Sequence, residues 1–302
     1  LLKAFTQQLL KGSGHFAMRC QPCFIKPDKM FRLFSFDETE ATTDMSQGSK
    51  GVSSCLHQEK IFKGVGWDSG EALANKTSQR ASIIGGSNAA GQATRPYVIF
   101  NACPQLSWLQ NAPESGFMHP KSEQFHTAVF NFNESGGATK AIASDYFKKN
   151  FIETQDPVTG EDLEHNGAVV KASKENPIVV ICDGHCSHLT LELLELCREN
   201  GIHIVLRPPH TSHILQIEDV INFREFKWQI RKACAEMLME KGLANIRNMS
   251  ALPYVKLGNE DLMLCCRAAW MDSFSETNCL LGWRKTGIRP FTRLVYPSHP
   301  QV

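Results

Sequence analysis

Pro177-Ile178-Val179-Val180-Ile181-Cys182-Asp183-Gly184-His185 decides the fold expected of this chain. The run from Ile178 to Cys182 is continuously apolar and is bounded by proline before it and aspartate after it, the pattern of a central strand buried on both faces. A helix is expected from about Leu189 to Asn200, closed by Gly201 in the left-handed cap position. Ile202 to Leu206 then forms the next strand. Strand, helix and strand with a tight return predict a parallel pair joined by a right-handed crossover, so the class is α/β.

Upstream, Met30-Phe31-Arg32-Leu33-Phe34-Ser35-Phe36 alternates apolar with other residues, as a half-buried strand does, and ends at Asp37-Glu38-Thr39. A polar loop runs from Thr42 to Gly51. Ala81 to Ser87 and Pro96 to Asn101 read as two strands joined through a Gly-containing connection at Asn88 to Gln92. Together they predict an antiparallel meander beside the first strand. Ala138 to Phe151 carries a helical stripe at Ile142, Tyr146, Phe147 and Phe151. Downstream, Pro208-Pro209 ends the last strand, and a long helix is expected from Asp219 to about Lys241. Phe223, Phe226, Ile230, Ala233 and Met237 form its core stripe, and Arg224, Lys227 and Arg231 its basic flank. Another helix is expected near Glu260 to Ser273, then a basic tail from Trp283 to Arg293. The organisation is a connecting segment at 1–29, a central domain at 30–241, and a helical extension with a basic tail at 242–302.

Composition narrows the function classes. The chain has 302 residues, 42% of them hydrophobic, enough for a substantial core. Lys and Arg total 32 against 31 for Asp and Glu, so attraction to nucleic acid must be local, and a strongly basic DNA-coating protein is disfavoured. Eleven cysteines, an odd number with no regular frame and no signal-like segment before them, predict a reducing, intracellular compartment. No apolar stretch approaches the roughly 18–20 residues of a membrane helix, so no membrane partner is expected.

Three acids stand where such folds place function: Asp37 and Asp183 at strand ends and Asp219 at a helix start. If their strands are neighbours, three close carboxylates repel unless cations bind them. Hard oxygen ligands suit Mg²⁺ or Mn²⁺, and a pair of such ions about 3.5–4 Å apart supports in-line attack on a phosphodiester. By spacing alone, the reading of each Asp as a turn former or helix cap is the stronger one.

Asp183-Gly184-His185-Cys186-Ser187-His188 resembles the second-acid motif of the DDE superfamily endonuclease domain, found in pogo, Tigger and jerky-type transposases and in centromere protein B. Phe36-Asp37-Glu38-Thr39 resembles the first-acid motif, and Gly91 to Phe100 resembles a strand pair of the same family. Pro208-Pro209-His210-Thr211-Ser212-His213-Ile214-Leu215-Gln216 is similar to the run before the third acid, which falls on Asp219. Ala269-Trp270 and Gly282 to Phe291 resemble the closing segment. The resemblance implies an RNase H-like fold, a mixed central sheet flanked by helices. It also implies two Mg²⁺ or Mn²⁺ ions on Asp37, Asp183 and Asp219, cutting and strand transfer on DNA, a nuclear location, a homodimer and no small-molecule substrate. Two departures stand out. Ile217-Glu218 replaces the usual Pro-Leu, making Glu218 a reserve metal ligand, and the residues before Asp28 are expected to be too few for a helix-turn-helix.

Other residues keep two readings. His185, His188, His210 and His213, with Cys182 and Cys186, could bind zinc. Alternatively His185 and His188 cap a helix or, with Glu38, support the carboxylates from behind. Cys20 and Cys23 form a lone CxxC, either incidental or a metal or redox pair. Arg224, Lys227, Arg231, Arg284, Lys285 and Arg289 either neutralise DNA phosphates or are solvated faces. Trp228 and Trp283 are expected in the core, with base stacking as the alternative.

Overall fold

A computed structural model describes residues 27–43, 79–105, 128–154, 164–165, 168–184, 190–208, 211–247 and 256–292. Cys20, Cys23, His185, Cys186, His188 and His210 lie outside the described residues, and so do the expectations placed on them. The strands are Leu33–Thr42 (β1), Arg80–Asn88 (β2), Tyr97–Phe100 (β3), Val129–Phe132 (β4), Glu164–His165 (β5), Ala168–Val169 (β6), Ile178–Cys182 (β7) and Ile202–Leu206 (β8). Six of them form one sheet in the order β4-β3-β2-β1-β7-β8, and β5 pairs with β6 apart from it. β1, β2 and β3 are antiparallel neighbours, while β7 and β8 add in parallel on the other side of β1. This is the mixed sheet of an RNase H-like fold. β4, parallel to β3 at the edge, is an addition that sequence periodicity did not show.

The helices are Lys140–Phe147 (α1), Leu191–Glu199 (α2), Ser212–Leu215 (α3), Phe223–Arg247 (α4), Asn259–Ser273 (α5) and Glu276–Lys285 (α6). They cover both faces of the sheet, because β1 sends alternate side chains to opposite sides. Phe34 and Phe36 join Ile84, Ile99 and Val180 under Tyr146, Phe147, Leu193 and Cys197 of α1 and α2. Ala41, Ala81, Ile83 and Val98 meet Phe223, Phe226, Ile230, Met263, Cys266 and Trp270 of α4 and α5. The second cluster therefore takes residues from both sides of position 241. Ala233 and Met237 complete the α4 stripe as partly buried members. Burying each large apolar side chain contributes about 1.5–3 kcal/mol, so Phe34 and Phe36 offset the polar Ser35 and Asp37 that β1 carries on its other face.

Two connections fix the register. Asn88 closes the β2–β3 turn with its side chain: its Oδ1 accepts the Gln92 N–H at 2.9 Å and the Ala90 N–H at 3.1 Å. Gly91 there has φ +93°, left-handed backbone that favours glycine. Gly201, at φ +71° between α2 and β8, packs so tightly that a Cβ would lie 2.1 Å from the Ser173 carbonyl oxygen. The C-terminal segment differs from the expected tail. Trp283 lies inside α6, fully buried, and its indole N–H donates to Ser87 Oγ at 3.1 Å. The burial of Trp283 is the expected one; the helix around it is not, because a single tryptophan among Arg284, Lys285 and Arg289 leaves no periodic stripe to reveal it.

Candidate active site at the strand ends

The site is laid out by strand register. Ser35 of β1 stands beside Ile181 of β7, and Cys182 of β7 stands beside Leu206 of β8. Carrying the parallel register onward places Asp37, Asp183 and Arg207 side by side at the carboxyl ends of β7 and β8. All three lie on one face of the sheet, at steps of about 4.8 Å. The Arg207 N–H still donates to the Cys182 carbonyl at 2.9 Å, so this register holds past the last strand residue. On the other side Asp37 pairs with Gly85 of β2. A Cβ on Gly85 would lie 2.5 Å from the Trp270 ring, so the missing side chain is what lets the indole lie against the sheet next to the acid.

A fourth element closes the row. Glu218–Asn222 forms one π-helical turn at the head of α4, a wide turn that is frequent at functional sites. Ile217 before it is fully buried against Met30, Ala89 and Trp283. Glu218 points inward and is fully buried, with its Oε2 accepting the Ser35 hydroxyl at 2.7 Å and its Oε1 without a partner. Asp219, the next residue, faces solvent.

The electrostatics link these groups. Burial pushes the Asp37 carboxyl up to about 7, with the Asp219 and Asp183 carboxylates adding to the rise and the Glu38 backbone N–H and Arg207 opposing it. Burial pushes Glu218 up to about 8; Asp37 adds to that, and Arg207 and the Ser35 hydrogen bond oppose it. Asp219 is raised as well, first by loss of hydration and then by Asp183, against Lys227 and Arg207. Its exposed side lets solvent screen these effects. Asp37, Asp183 and Asp219 thus feel one another across one small region. Among the described residues, however, no three His, Cys, Asp or Glu side chains stand close enough to hold an ion as they are.

Arg207 is the residue that sequence reasoning passed over. Its side chain is 7% exposed, and its Nε, Nη1 and Nη2 have no hydrogen-bond partner. The available signal was a lone cation between the apolar strand Ile202 to Leu206 and Pro208-Pro209. The other expected residues divide. Glu38 reaches Asp37 through its backbone N–H only; its carboxylate turns to the opposite face, where Oε1 accepts the Ala138 N–H at 3.0 Å. Cys182 also faces that side, in the apolar cluster, and burial pushes its thiol up to about 12. His213 is exposed on α3. Arg224, Lys227 and Arg231 are exposed along one side of α4, and Arg284 and Lys285 are exposed at the end of α6, while Arg289 is half-buried. Trp228 is 53% exposed rather than in the core, with Lys232 Nζ 5.8 Å from its ring centroid. It sits one position past Lys227, on the solvent side of α4 and off the Phe223 stripe.

A family model described as DDE superfamily endonuclease matches residues 78–283. A curated relative, the MFS-type transporter clz9 of Cochliobolus lunatus, is 27% identical over 220 residues, which is 73% of this chain and 20% of that protein. The chain thus spans one fifth of that relative's length, and no described helix is long and apolar enough to cross a membrane. The crystal structure of the Mos1 mariner paired end complex with Mn is similar over 98% of this chain and 70% of that one, at 8% identity and a TM-score of 0.39.

Proposed function

This chain belongs to the DDE superfamily endonucleases, and on that premise we propose that it is a transposase-type catalytic core that cuts and rejoins DNA phosphodiesters with two Mg²⁺ or Mn²⁺ ions. The observation carrying the proposal is that Asp37 on β1 and Asp183, directly after the adjacent parallel strand β7, feel each other's charge, with the Asp219 carboxyl coupled to both. The donor set fits the ions. It consists of hard carboxylate oxygens, and at Asp37 and Asp219 their proton affinity is raised by burial and by neighbouring carboxylates, the condition that a divalent cation relieves. Asp37, Asp183 and Asp219 would hold the ions, which supply an activated water or 3′-hydroxyl and charge stabilisation at the leaving oxygen. Asp219 is favoured over Glu218 as the third ligand because it is open to solvent, whereas Glu218 is sealed against Ser35.

The residues around the acids have separate tasks in this reading. The Glu38 N–H orients the Asp37 carboxylate. Arg224, Lys227 and Arg231 extend the site along α4 as a phosphate track, starting with Lys227, whose charge is felt at Asp219. The partner is DNA, the working form a homodimer, and the location nuclear. Nicking of supercoiled plasmid with Mg²⁺ or Mn²⁺ tests the reading. Asp183→Asn is expected to lower the rate by at least about a hundredfold, and unchanged nicking in that variant would remove the mechanism.

The absence of a preformed three-ligand cluster among the described residues favours one second reading: a transposase-derived protein that no longer cuts and acts as a DNA-binding or protein-interaction module. Isothermal titration with Mn²⁺ separates the two. Two bound ions per chain support the nuclease, and none supports the module.

A further inference from the structure

Arg207 poses a physical problem that the acids alone do not answer. A guanidinium carries five N–H donors in a rigid fork and stays charged under all ordinary conditions. Burying one without partners is among the costlier things a fold can do, and buried polar groups are overwhelmingly hydrogen-bonded. Yet Arg207 is 7% exposed, and all three of its nitrogens lack a partner. An internal counter-ion for Asp37, Asp183 or Glu218 would donate to one of them. Arg207 influences Asp37, Glu218 and Asp219 through space without hydrogen-bonding any of them. Its donors are therefore spare, in the same row and on the same face as Asp183, just past the end of β7, and Asp37, which lies within β1 rather than at the strand end expected for it. A planar, bidentate fork with spare donors matches a tetrahedral oxyanion offering two oxygens.

We propose that Arg207 is the phosphate anchor of this site, its guanidinium binding the non-bridging oxygens of the phosphodiester that lies over Asp37 and Asp183. The identity of that ester rests on the endonuclease reading; the anion site does not. The fork would draw the phosphorus toward the acid row and offset the negative charge that builds on its oxygens. Between reactions it stands unpartnered, a cost to folding kept for function.

Two substitutions separate an anchor from a packing residue. Arg207→Met keeps the apolar stem and drops the donors, and Arg207→Lys keeps the charge but loses the fork. Inorganic phosphate is titrated calorimetrically into the full chain and both variants in Mg²⁺ buffer, with urea unfolding as a check on folding. An anchor predicts affinity weakened about tenfold or more in Arg207→Met, a smaller loss in Arg207→Lys, and an unfolding midpoint for Arg207→Met no lower than wild type. Equal phosphate affinity in wild type and Arg207→Met, or no phosphate binding by wild type, overturns the proposal. A competition arm identifies the source of the anion. Phosphate displacing duplex DNA from wild type but not from Arg207→Met supports a phosphodiester, and no displacement overturns it in favour of a free-phosphate site. Wild type that binds phosphate through Arg207 but nicks no plasmid keeps the anchor and removes the endonuclease reading. Arg207→Met that both nicks and binds phosphate like wild type removes the anchor alone.

Discussion

Glu218→Gln should stabilise the metal-free protein, and by an amount that grows with pH. The folded carboxyl titrates at about 8 against an ordinary 4.5, chiefly because it is fully buried. The sign follows from proton counting. Between those two values the folded state holds a proton that the unfolded state has released, so stability is fully present below the unfolded value and is lost as pH rises through the folded one. Each pH unit in that window costs about 1.4 kcal/mol, so by pH 7 the loss from this one group is ~3 kcal/mol and above pH 8 it approaches ~5 kcal/mol. Glutamine keeps the shape, still accepts from the Ser35 hydroxyl, and is neutral throughout. The variant and wild type should therefore be equally stable near pH 4.5, and the variant should lead by about 3 kcal/mol at pH 7. Urea unfolding with a chelator at pH 4.5, 6 and 7 reads this directly. Other titrating groups are common to both proteins and cancel to first order. A difference that does not change with pH, or a wild type that is the more stable at pH 7, refutes the buried, protonated acid.

Gly85→Ala should destabilise by about 1–3 kcal/mol, because the new methyl would sit 2.5 Å from the Trp270 ring, which is itself stacked on Phe274 at 3.7 Å and cannot retreat freely. Thermal or urea unfolding checks it; a variant as stable as wild type would mean that the indole is loosely held beside Asp37. Replacing Arg224, Lys227 and Arg231 together by Gln should reduce the slope of log affinity on log salt by roughly 2–3 for duplex DNA, near 0.9 per lost phosphate contact. Fluorescence anisotropy across a salt series measures it, and an unchanged slope would return those side chains to plain solvation.

What was legible in the sequence was local. The five apolar residues of β7, the cap at Gly201, the Asn88 to Gln92 connection and the Phe223, Phe226, Ile230 stripe all follow from short-range pattern, and each stands where pattern puts it. What was not legible depends on partners far along the chain. β4 is only Val129-Phe130-Asn131-Phe132, too short and too mixed to announce itself, and it exists because it pairs with β3. Trp283 is buried as expected, but Trp228 turns its ring to solvent because its side of α4 does not meet the sheet, something one aromatic residue cannot signal. Arg207 was missed because its significance is a register: it matters by standing beside Asp183, and nothing adjacent to it in sequence says so. Glu38 was grouped with Asp37 by adjacency, although adjacency on a strand means opposite faces.

The same logic accounts for two carboxylates occurring in succession. At the two positions before Asp219, Ile217 keeps the apolar contact with Met30, Ala89 and Trp283, and Glu218 takes a fully buried position beneath the row. Its partner Ser35 lies two residues before Asp37 on the same face of β1, so Glu218 and Asp37 sense each other's charge. That coupling is reciprocal. In the proposed site, ionised Asp37 disfavours a second charge at Glu218 while the cation's own charge opposes that effect, so it is chiefly full burial that keeps Glu218 protonated. A neutral, hydrogen-bonded Glu218 adds no charge to the acid row, which leaves Asp37, Asp183 and Asp219 as the set the ions would neutralise. The buried acid is then a floor whose proton is retained by burial, and the exposed one beside it is free to meet the metal. A Glu218→Gln chain should accordingly keep its Mn²⁺ stoichiometry in calorimetric titration, whereas an Asp219→Asn chain should lose at least one ion. The opposite pattern would reverse the two assignments.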